Sequence, residues 1–403
     1  MIKFSQKAPF AVKGTSLTVI VILTLLTGVT PLSIDMALPA LPALAIALNS
    51  NSSQAQLMVG IFLLGFSIAQ LVVGPISDRY GRRLVLLAGL LLYLVFSVLC
   101  AIAPNLETLL AARLLQGIAA CTAPVAARAI VADIHDGPGM QKAMSIVTAG
   151  MGFAPILAPS IGSLVLEFSD WRGIFWTLAA SGGIMLCLVA LLLSETRPIN
   201  KKTQSLNFNV LAKRYQTICL NREFLAYALP SLFAGGALFT FLASATFALQ
   251  EDLGASTQEF GFMFAGVMIG LVIGATLSTR FSPRLGLQKS MLVGIIASTL
   301  GGWAMAIAWL IDTNHWTAII LPMMVVMFGM GILRPNSIAG AISPFRDMAG
   351  SASALIGFLQ MSAGATAGLI ILIVPYPPGQ LMPILVALYP SLGLLAFLLM
   401  RIR

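Results

Sequence analysis

The chain has 403 residues, of which 58% are hydrophobic and only 9% are charged. A soluble domain carries about 25% charged residues, so this composition excludes a water-soluble globule and predicts that lipid covers most of the surface. The formal net charge of +9 does not point to nucleic acid, because the basic residues lie in the links between apolar runs, where they face anionic lipid and fix topology.

Twelve apolar runs are long enough to cross a membrane, since a spanning helix needs about 20 residues. They cover approximately residues 16–38, 55–76, 84–103, 107–131, 142–166, 173–193, 224–249, 258–280, 289–310, 316–340, 350–374 and 381–400. Basic residues gather in alternate links and acidic residues in the others. This pattern predicts an all-α, multi-pass membrane protein with both termini in the cytoplasm.

The longest polar segment divides the chain into residues 1–193, a cytoplasmic linker at 194–222 and residues 223–403. Ser77-Asp-Arg-Tyr-Gly81 has a weak counterpart in Ser282-Pro-Arg-Leu-Gly286, and both lie between the second and third runs of their half. Two related six-helix halves around a central cavity form a transporter architecture. We therefore expect two pseudo-symmetric halves.

Asp35 is the one acidic residue well inside an apolar run. A carboxylate at membrane depth costs about 2.5–3.5 kcal/mol, so its presence predicts a functional role, here the binding and release of a proton. The alternative is that Asp35 is hydrated at the external interface or caps a helix that Pro39 interrupts.

Arg113, in the fourth run, is the expected partner of Asp35, and Gln116 lies on much the same helix face. A guanidinium at this depth is expected to face the bundle interior or an aqueous cavity. The alternative is an arginine that extends to the outer interface.

A second charge cluster is expected at the cytoplasmic end, where it would form a gate. Its predicted members are Gly74, Asp78, Arg79, Gly81, Arg82, Arg83, Arg128 and Asp133. In the fifth run, Pro155, Pro159 and Gly162 predict a bent helix that neighbouring helices approach closely.

The substrate cavity is expected to be lined by Met, Phe and small residues, a surface that suits bulky amphipathic compounds. The candidates are Met36, Phe62, Phe239, Phe241, Phe262, Arg334, Asn336 and Met361. Most Met and Phe residues of a bundle lie in the core or face lipid, which is the alternative for each of them. Arg334 lines the cavity or anchors the interface, and the sequence does not separate these readings.

The string Gly74-Pro-Ile-Ser-Asp-Arg-Tyr-Gly-Arg-Arg83 resembles the loop motif G-x-x-x-D-R-x-G-R-R of the major facilitator superfamily. The string Arg113-Leu-Leu-Gln-Gly117 resembles the fourth-helix motif R-x-x-Q-G, which the family associates with proton transfer. Within that family the chain resembles the twelve-helix drug:proton antiporters of the Bcr/CflA type.

Two further strings carry the resemblance with departures. The stretch from Asp35 to Pro42 resembles the first-helix signature D-M-Y-L-P-A-L-P, with Ala37 in place of the tyrosine. The stretch from Ala158 to Ser163 resembles the antiporter motif G-P-x-x-G-G, with Ala158 and Ser163 where glycines are usual. The change at Ala37 leaves drug specificity open, and the changes in the antiporter motif keep the importer alternative open.

The resemblance implies a proton-coupled antiporter that exports small amphipathic compounds by alternating access, with protons and membrane lipid as its other partners. The alternatives are an importer of a metabolite, an exporter of a siderophore-like compound, and a non-transporting receptor or scaffold. An enzyme is not expected, and neither is a metal or other cofactor, because the four cysteines and two histidines show no ligand spacing. A monomer is the default expectation.

Overall fold

The computed structural model describes residues 17–135, 137–196, 208–311, 315–374 and 376–400. Within these ranges the first group of helices is α1 (Leu17–Asp35), α2 (Leu41–Ala47), α3 (Ser52–Tyr80), α4 (Arg82–Ala101), α5 (Leu106–Ala120), α6 (Thr122–Ile134), α7 (Gly137–Phe168) and α8 (Trp171–Leu192). A short helix, α9 (Phe208–Cys219), precedes the second group. That group is α10 (Arg222–Thr246), α11 (Thr257–Leu285), α12 (Leu287–Leu310), α13 (Thr317–Ile342), α14 (Ala349–Ile373) and α15 (Pro378–Met400).

Polar residues in the short links start many of these helices. Asn51 accepts a hydrogen bond from the backbone N–H of Gln54, whose side chain in turn accepts one from Asn51, and Ser256 and Glu259 form the same reciprocal pair. Such caps satisfy N–H groups that have no partner inside the helix. These polar links therefore fix where α3 and α11 begin.

Eleven helical segments of the described chain are long and apolar enough to cross a membrane. The fifth long helix, α7, adds the apolar stretch Gly152–Phe168. Each of the twelve predicted runs thus overlaps one long helical segment. The first segment is interrupted after Asp35 by a 3-10 turn, Leu38–Ala40, because Pro39 and Pro42 cannot donate backbone hydrogen bonds.

The two groups of helices meet along two seams, α3 against α14 and α7 against α11. Within the first group, α3 and α5 approach so closely that a Cβ on Gly117 would overlap the carbonyl of Phe62. Close backbone approach through small residues is a usual way for helices to pack in lipid. It brings the fourth span directly against the second.

The two ends of the bundle differ in how the groups touch. We call the end that carries Asp78–Arg83 the motif end. At the other end, Thr246 Oγ1 donates to the Leu38 carbonyl at 3.0 Å, and Ser163 Oγ donates to the Thr257 carbonyl at 2.9 Å. Both hydrogen bonds join the first group to the second.

At the motif end, α6 does not pack against α13 or α14 over any extended length of the described chain. The groups are joined there by the α3–α14 seam and by α9, whose Tyr215 hydroxyl donates to the Leu71 carbonyl at 2.7 Å. Burial raises the pKa of Tyr215 to about 12, so this donor keeps its proton at physiological pH. Among the described residues, hydrogen bonds between side chains of one group and the backbone of the other therefore lie at the end opposite the motif.

Candidate functional site

Arg113 is completely buried and is held by carbonyl and amide oxygens from three helices. Its Nη1 donates to the carbonyl of Ser33 on α1 at 3.0 Å and to Gln116 Oε1 at 2.8 Å, and its Nε donates to the carbonyl of Met58 on α3 at 3.3 Å. Buried charges need such partners, because an unsolvated charge is expensive. Arg113 therefore ties α1, α3 and α5 together.

Two aromatic rings enclose the same guanidinium. Its central carbon lies 4.4 Å from the ring centroid of Phe62 and 5.7 Å from that of Phe175. Ring faces are electron-rich and attract a cation, most strongly where water is excluded. The charge of Arg113 is thus balanced by dipoles and rings.

A chain of hydrogen bonds continues from Arg113 into α4. Gln116 Nε2 donates to Ser97 Oγ at 2.7 Å, and Ser97 Oγ donates to the carbonyl of Tyr93. The Tyr93 hydroxyl lies 2.6 Å from Ser33 Oγ, which itself donates to the Val29 carbonyl, so Tyr93 is the donor of that pair. The sequence reading missed Ser33, Tyr93 and Ser97. The sequence feature that could have identified them is that each is a polar residue inside an apolar run.

Asp35 lies at the last position of α1 and is 4% exposed, so it is not on a wet outer rim. In the described part of the chain, neither a hydrogen bond nor an ion pair joins it to Arg113, and the predicted pair is absent from this conformation. Arg113 instead binds the backbone of Ser33. Asp35 follows Ser33 by two positions, and side chains two positions apart on a helix point about 200° apart. The Asp35 side chain therefore points away from the position at which Arg113 contacts Ser33.

The loop motif forms an ion-pair cluster at its end of the bundle. Arg82 Nη2 lies 2.6 Å from Asp78 Oδ1, and Arg82 Nε donates to Asp133 Oδ2 at 3.0 Å. Arg82 Nη1 also donates to Ser77 Oγ at 3.1 Å. The structure therefore brings together Asp78, Arg82 and Asp133, as the sequence predicted, and joins α3, α4 and α6.

Glu195 completes this cluster, and sequence reasoning missed it. Its carboxylate accepts the backbone N–H of Arg82 at 2.9 Å and that of Arg83 at 3.1 Å, at the start of α4. A carboxylate suits the amino-terminal end of a helix, where N–H groups are free and the helix dipole is positive. Gly81 has a φ of +96°, and a Cβ on it would lie 2.5 Å from Glu195 Oε2.

The remaining motif residues make separate contacts. Arg83 Nη2 donates to the carbonyl of Ala190 at 2.7 Å, which anchors α4 to α8. The Arg79 guanidinium lies 5.3 Å from the ring centroid of Tyr80, and a Cβ on Gly74 would meet open space. The structure therefore does not bring Arg79 or Gly74 to the ion-pair cluster.

Arg128 also lies outside the Arg82 cluster. Its Nε donates to the carbonyl of Pro124 on its own helix at 3.1 Å, and its side chain is exposed. Arg334 of α13 is half-buried. Arg334 Nε donates to Gln360 Oε1 at 3.4 Å, and Gln360 Nε2 donates to Ser231 Oγ at 2.8 Å.

The predicted fifth-span motif lies in the continuous helix α7, which includes Pro155 and Pro159. A Cβ on Gly162 would overlap the carbonyl of Met36, the residue after Asp35. Ser163 Oγ donates to the carbonyl of Pro159 as well as to α11. The motif therefore packs against the end of α1 that carries the acid.

Most of the predicted cavity residues are packed against protein. The buried ones are Met36, Phe62, Phe239, Phe241, Asn336 and Met361. Phe241 stacks on Phe264 at 6.0 Å, and Asn336 Nδ2 donates to Ser278 Oγ at 3.0 Å within the second group. Phe239 lies against Gly364, where α14 meets α3.

Phe262 is 76% exposed, and its placement corrects the sequence expectation. It shares an exposed stripe of α11 with Ile269 and Ile273, whereas Phe260 and Phe264 are buried on the other face. The period of the helix decides this, because residues 262, 269 and 273 fall on one side. Phe262 therefore does not face the interior.

Comparison with known proteins is consistent with this arrangement. The family model described as Major Facilitator Superfamily matches residues 23–368. The chain is 33% identical over 337 residues to the uncharacterized MFS-type transporter YdgK of Bacillus subtilis, covering 83% of each chain. It is 27% identical to a bicyclomycin resistance protein homolog of Haemophilus influenzae, covering 87% of this chain and 88% of that one. It is 29% identical to multidrug resistance protein D of Escherichia coli, covering 88% of each.

Solved structures share the fold at low sequence identity. The nucleoside transporter NupG matches with a TM-score of 0.75 at 14% identity, over 96% of this chain and 99% of that one. The xylose transporter XylE from E. coli matches with a TM-score of 0.71 at 14% identity, over 95% and 96% of the two chains. The chain belongs to the major facilitator superfamily and is a multi-pass transporter of a bacterial inner membrane and not an enzyme.

Proposed function

We propose that this transporter exports small amphipathic compounds in exchange for protons, by alternating access about a site between its two six-helix halves. We divide the chain into a half at 1–193, a linker at 194–222 and a half at 223–403, with the motif end and both termini in the cytoplasm. In that orientation, the hydrogen bonds of Thr246 and Ser163 between the halves lie on the external side. The names of the related resistance proteins support export as the direction.

The observation that carries the proposal is the burial of Asp35. It is 4% exposed, and no ion pair joins it to another described residue. An unpaired carboxylate at this depth is costly, whereas its protonated form is not, so the environment favours a bound proton in this conformation. Opening of the opposite end would hydrate Asp35 and allow exchange with the outside.

The membrane potential would supply part of the driving force. One proton moving down the potential provides about 2.3 kcal/mol per 100 mV, which changes a two-state equilibrium by more than tenfold. Met36 links this chemistry to the interface between the halves, because its carbonyl lies against Gly162 of α7. Helix α7 in turn contacts α11 of the other half through Ser163.

We assign the Asp78–Arg82–Asp133 cluster to the cytoplasmic gate. Both ion pairs of Arg82 lie within the first half and join α3, α4 and α6 at the motif end. Charge reversal in Asp78→Lys should reduce transport without reducing expression, and unchanged transport would refute the gating role.

The first experiment identifies a substrate and tests Asp35 together. A strain that lacks the transporter would carry the wild-type protein, Asp35→Asn or Glu107→Gln, and its susceptibility to a panel of antibiotics and dyes would be measured. Glu107 is an exposed acid near the same end of the bundle and serves as the matched control. Wild type and Glu107→Gln should protect against at least one compound, and Asp35→Asn should not.

The second experiment measures proton movement in proteoliposomes when that compound is added. Export by antiport moves protons against the direction of the compound. Movement of both in the same direction would instead establish an importer by symport. Equal protection by wild type and Asp35→Asn in the first experiment would refute the role of Asp35.

A further inference from the structure

The turn that follows Asp35 is enclosed by helices of both halves. This 3-10 turn, Leu38–Ala40, packs against α7 of the first half and against α10 and α11 of the second half. Leu38 is completely buried, and the carbonyl of Met36, just before the turn, lies against Gly162 of α7. The segment that carries the acid is therefore part of the interface between the halves.

A buried hydrogen bond joins this turn to the second half. Thr246, the last residue of α10, donates from Oγ1 to the carbonyl of Leu38 at 3.0 Å, and both residues are completely buried. Buried threonines of a helix can donate to the carbonyl four positions earlier, as Thr240 does to Gly236 on the same helix. Thr246 instead donates to a residue 208 positions away in the chain. Its hydroxyl therefore stabilises the contact between the halves.

Each partner of this bond is fixed to its own half. The segment after Thr246, Phe247–Asp252, is a π-helical turn that packs against α15. The approach is so close that a Cβ on Gly379 of α15 would overlap Asp252 Oδ2. Leu38 is held by α7 in the same way on the other side. The distance between Thr246 and Leu38 therefore depends on how the two halves lie against each other.

Both partners have another hydrogen bond available when the halves separate. The Leu38 carbonyl also accepts the backbone N–H of Leu41, so it keeps a partner inside its own turn. Helical threonine occupies two χ1 rotamers, and rotation would bring Thr246 Oγ1 to the carbonyl of Leu242, four positions earlier on α10. Buried polar groups are costly when they are left unpaired. This bond can break and re-form without leaving either group unpaired, which suits a contact that changes during a transport cycle.

We propose that Thr246 is a positioning residue of the transport cycle. Its hydroxyl holds the turn after Asp35 against the second half, and transfer of the hydrogen bond to Leu242 accompanies opening of the bundle around Asp35. The assignment rests on the proposed alternating access and adds a residue that sets the balance between its two conformations. Removal of one such hydrogen bond changes that balance about fivefold.

The test measures how fast a cysteine beside Asp35 reacts with a water-soluble maleimide. Ala37 lies between Asp35 and Leu38 and is 1% exposed, so Ala37→Cys reports access of water to this turn. The reference protein carries this change, with the two exposed native cysteines replaced by serine and the two buried ones retained. The purified full-length protein is labelled in lipid nanodiscs, without a proton gradient. The alkylation rate therefore reports opening around Asp35 independently of proton exchange.

Substitutions then assign the opening to the Thr246 hydroxyl. Thr246→Val keeps the shape of the side chain and removes the donor, so it should raise the alkylation rate about fivefold. Thr246→Ser keeps the hydroxyl and should react at the rate of the reference protein. Thr240→Val is the matched control, because it removes a buried hydroxyl of the same helix that bonds its own backbone. It should also leave the rate unchanged.

Any of three results would overturn the proposal. The first is an unchanged alkylation rate in Thr246→Val. The second is an equal rise in Thr240→Val, which would indicate a general loosening of α10, and the third is an equal rise in Thr246→Ser, which would assign the effect to packing. Failure of the proposed antiport would be seen separately, because Asp35→Asn would then protect cells as wild type does while the alkylation rates stayed as expected.

Discussion

Gly81 lies between α3 and α4, and its replacement by alanine has two separable costs. Its φ of +96° and ψ of 149° belong to a region that is essentially restricted to glycine. Any other residue in this backbone conformation costs about 1–3 kcal/mol of stability. A Cβ would also lie 2.5 Å from Glu195 Oε2. The carboxylate would then move away from the N–H groups of Arg82 and Arg83, and weakening these bonds costs about 1–3 kcal/mol more. We expect Gly81→Ala to lower the free energy of unfolding by about 2–6 kcal/mol.

Two other glycines of the chain provide matched controls. Gly286 has a φ of +79° and a ψ of 163°, but a Cβ there would meet nothing within 4 Å. Gly286→Ala should therefore show the backbone cost alone, about 1–3 kcal/mol. Gly74 is helical and also faces open space, so Gly74→Ala should be neutral or stabilise by up to about 1 kcal/mol.

The assay is titration of the purified variants with sodium dodecyl sulfate in mixed micelles, followed by circular dichroism. In a Glu195→Ala background, Gly81→Ala should cost no more than Gly286→Ala does in the wild type. Equal losses for Gly81→Ala and Gly286→Ala in the wild-type background would refute the contribution of Glu195. Wild-type stability of both Gly81→Ala and Gly286→Ala would refute the argument from backbone conformation.

Two further predictions concern the network around Arg113. Tyr93→Phe removes the hydrogen bond to Ser33 and should lower the free energy of unfolding by about 0.5–1.5 kcal/mol in the same titration; an unchanged value would show that the bond contributes nothing. Phe62→Leu removes a ring 4.4 Å from the guanidinium and should destabilise by about 2 kcal/mol, with a loss of transport. Phe262→Leu, on the exposed stripe, should change neither quantity, and a loss of transport in that variant would contradict its outward placement.

The fold could be predicted from the sequence because lipid offers no hydrogen-bond partners. A segment that crosses the membrane must form its backbone hydrogen bonds within itself, so each long apolar run becomes a helix. The twelve predicted runs accordingly coincide with helical segments. The sequence offered the interruption after Asp35 only as an alternative, through Pro39, and the structure shows it, because Pro39 and Pro42 cannot donate backbone hydrogen bonds.

Part of the candidate site could be predicted from the sequence for a similar reason. Charged residues in or beside apolar runs are costly, so Asp35, Arg113 and Arg82 stand out in the amino-acid sequence alone. The sequence also predicted that Asp78, Asp133 and Arg128 lie near Arg82 at the cytoplasmic end, and the structure shows ion pairs of Arg82 with Asp78 and Asp133 but not the approach of Arg128. Sequence spacing cannot give the partner of a side chain on another helix, because that depends on how the helices rotate about their axes. For this reason the pairing of Asp35 with Arg113 was expected and is absent from this conformation.

The sequence by itself determined that the chain spans a membrane many times, approximately where its long helices lie, and which charges are too costly to be incidental. Only the tertiary structure decided that Glu195 caps α4, that Arg113 is held by carbonyls and rings, and that Phe262 points outward. The reason is physical. The hydrophobic pattern fixes each helix along its own axis, while contacts between side chains depend on helix rotation and packing, which residues far apart in the chain set together.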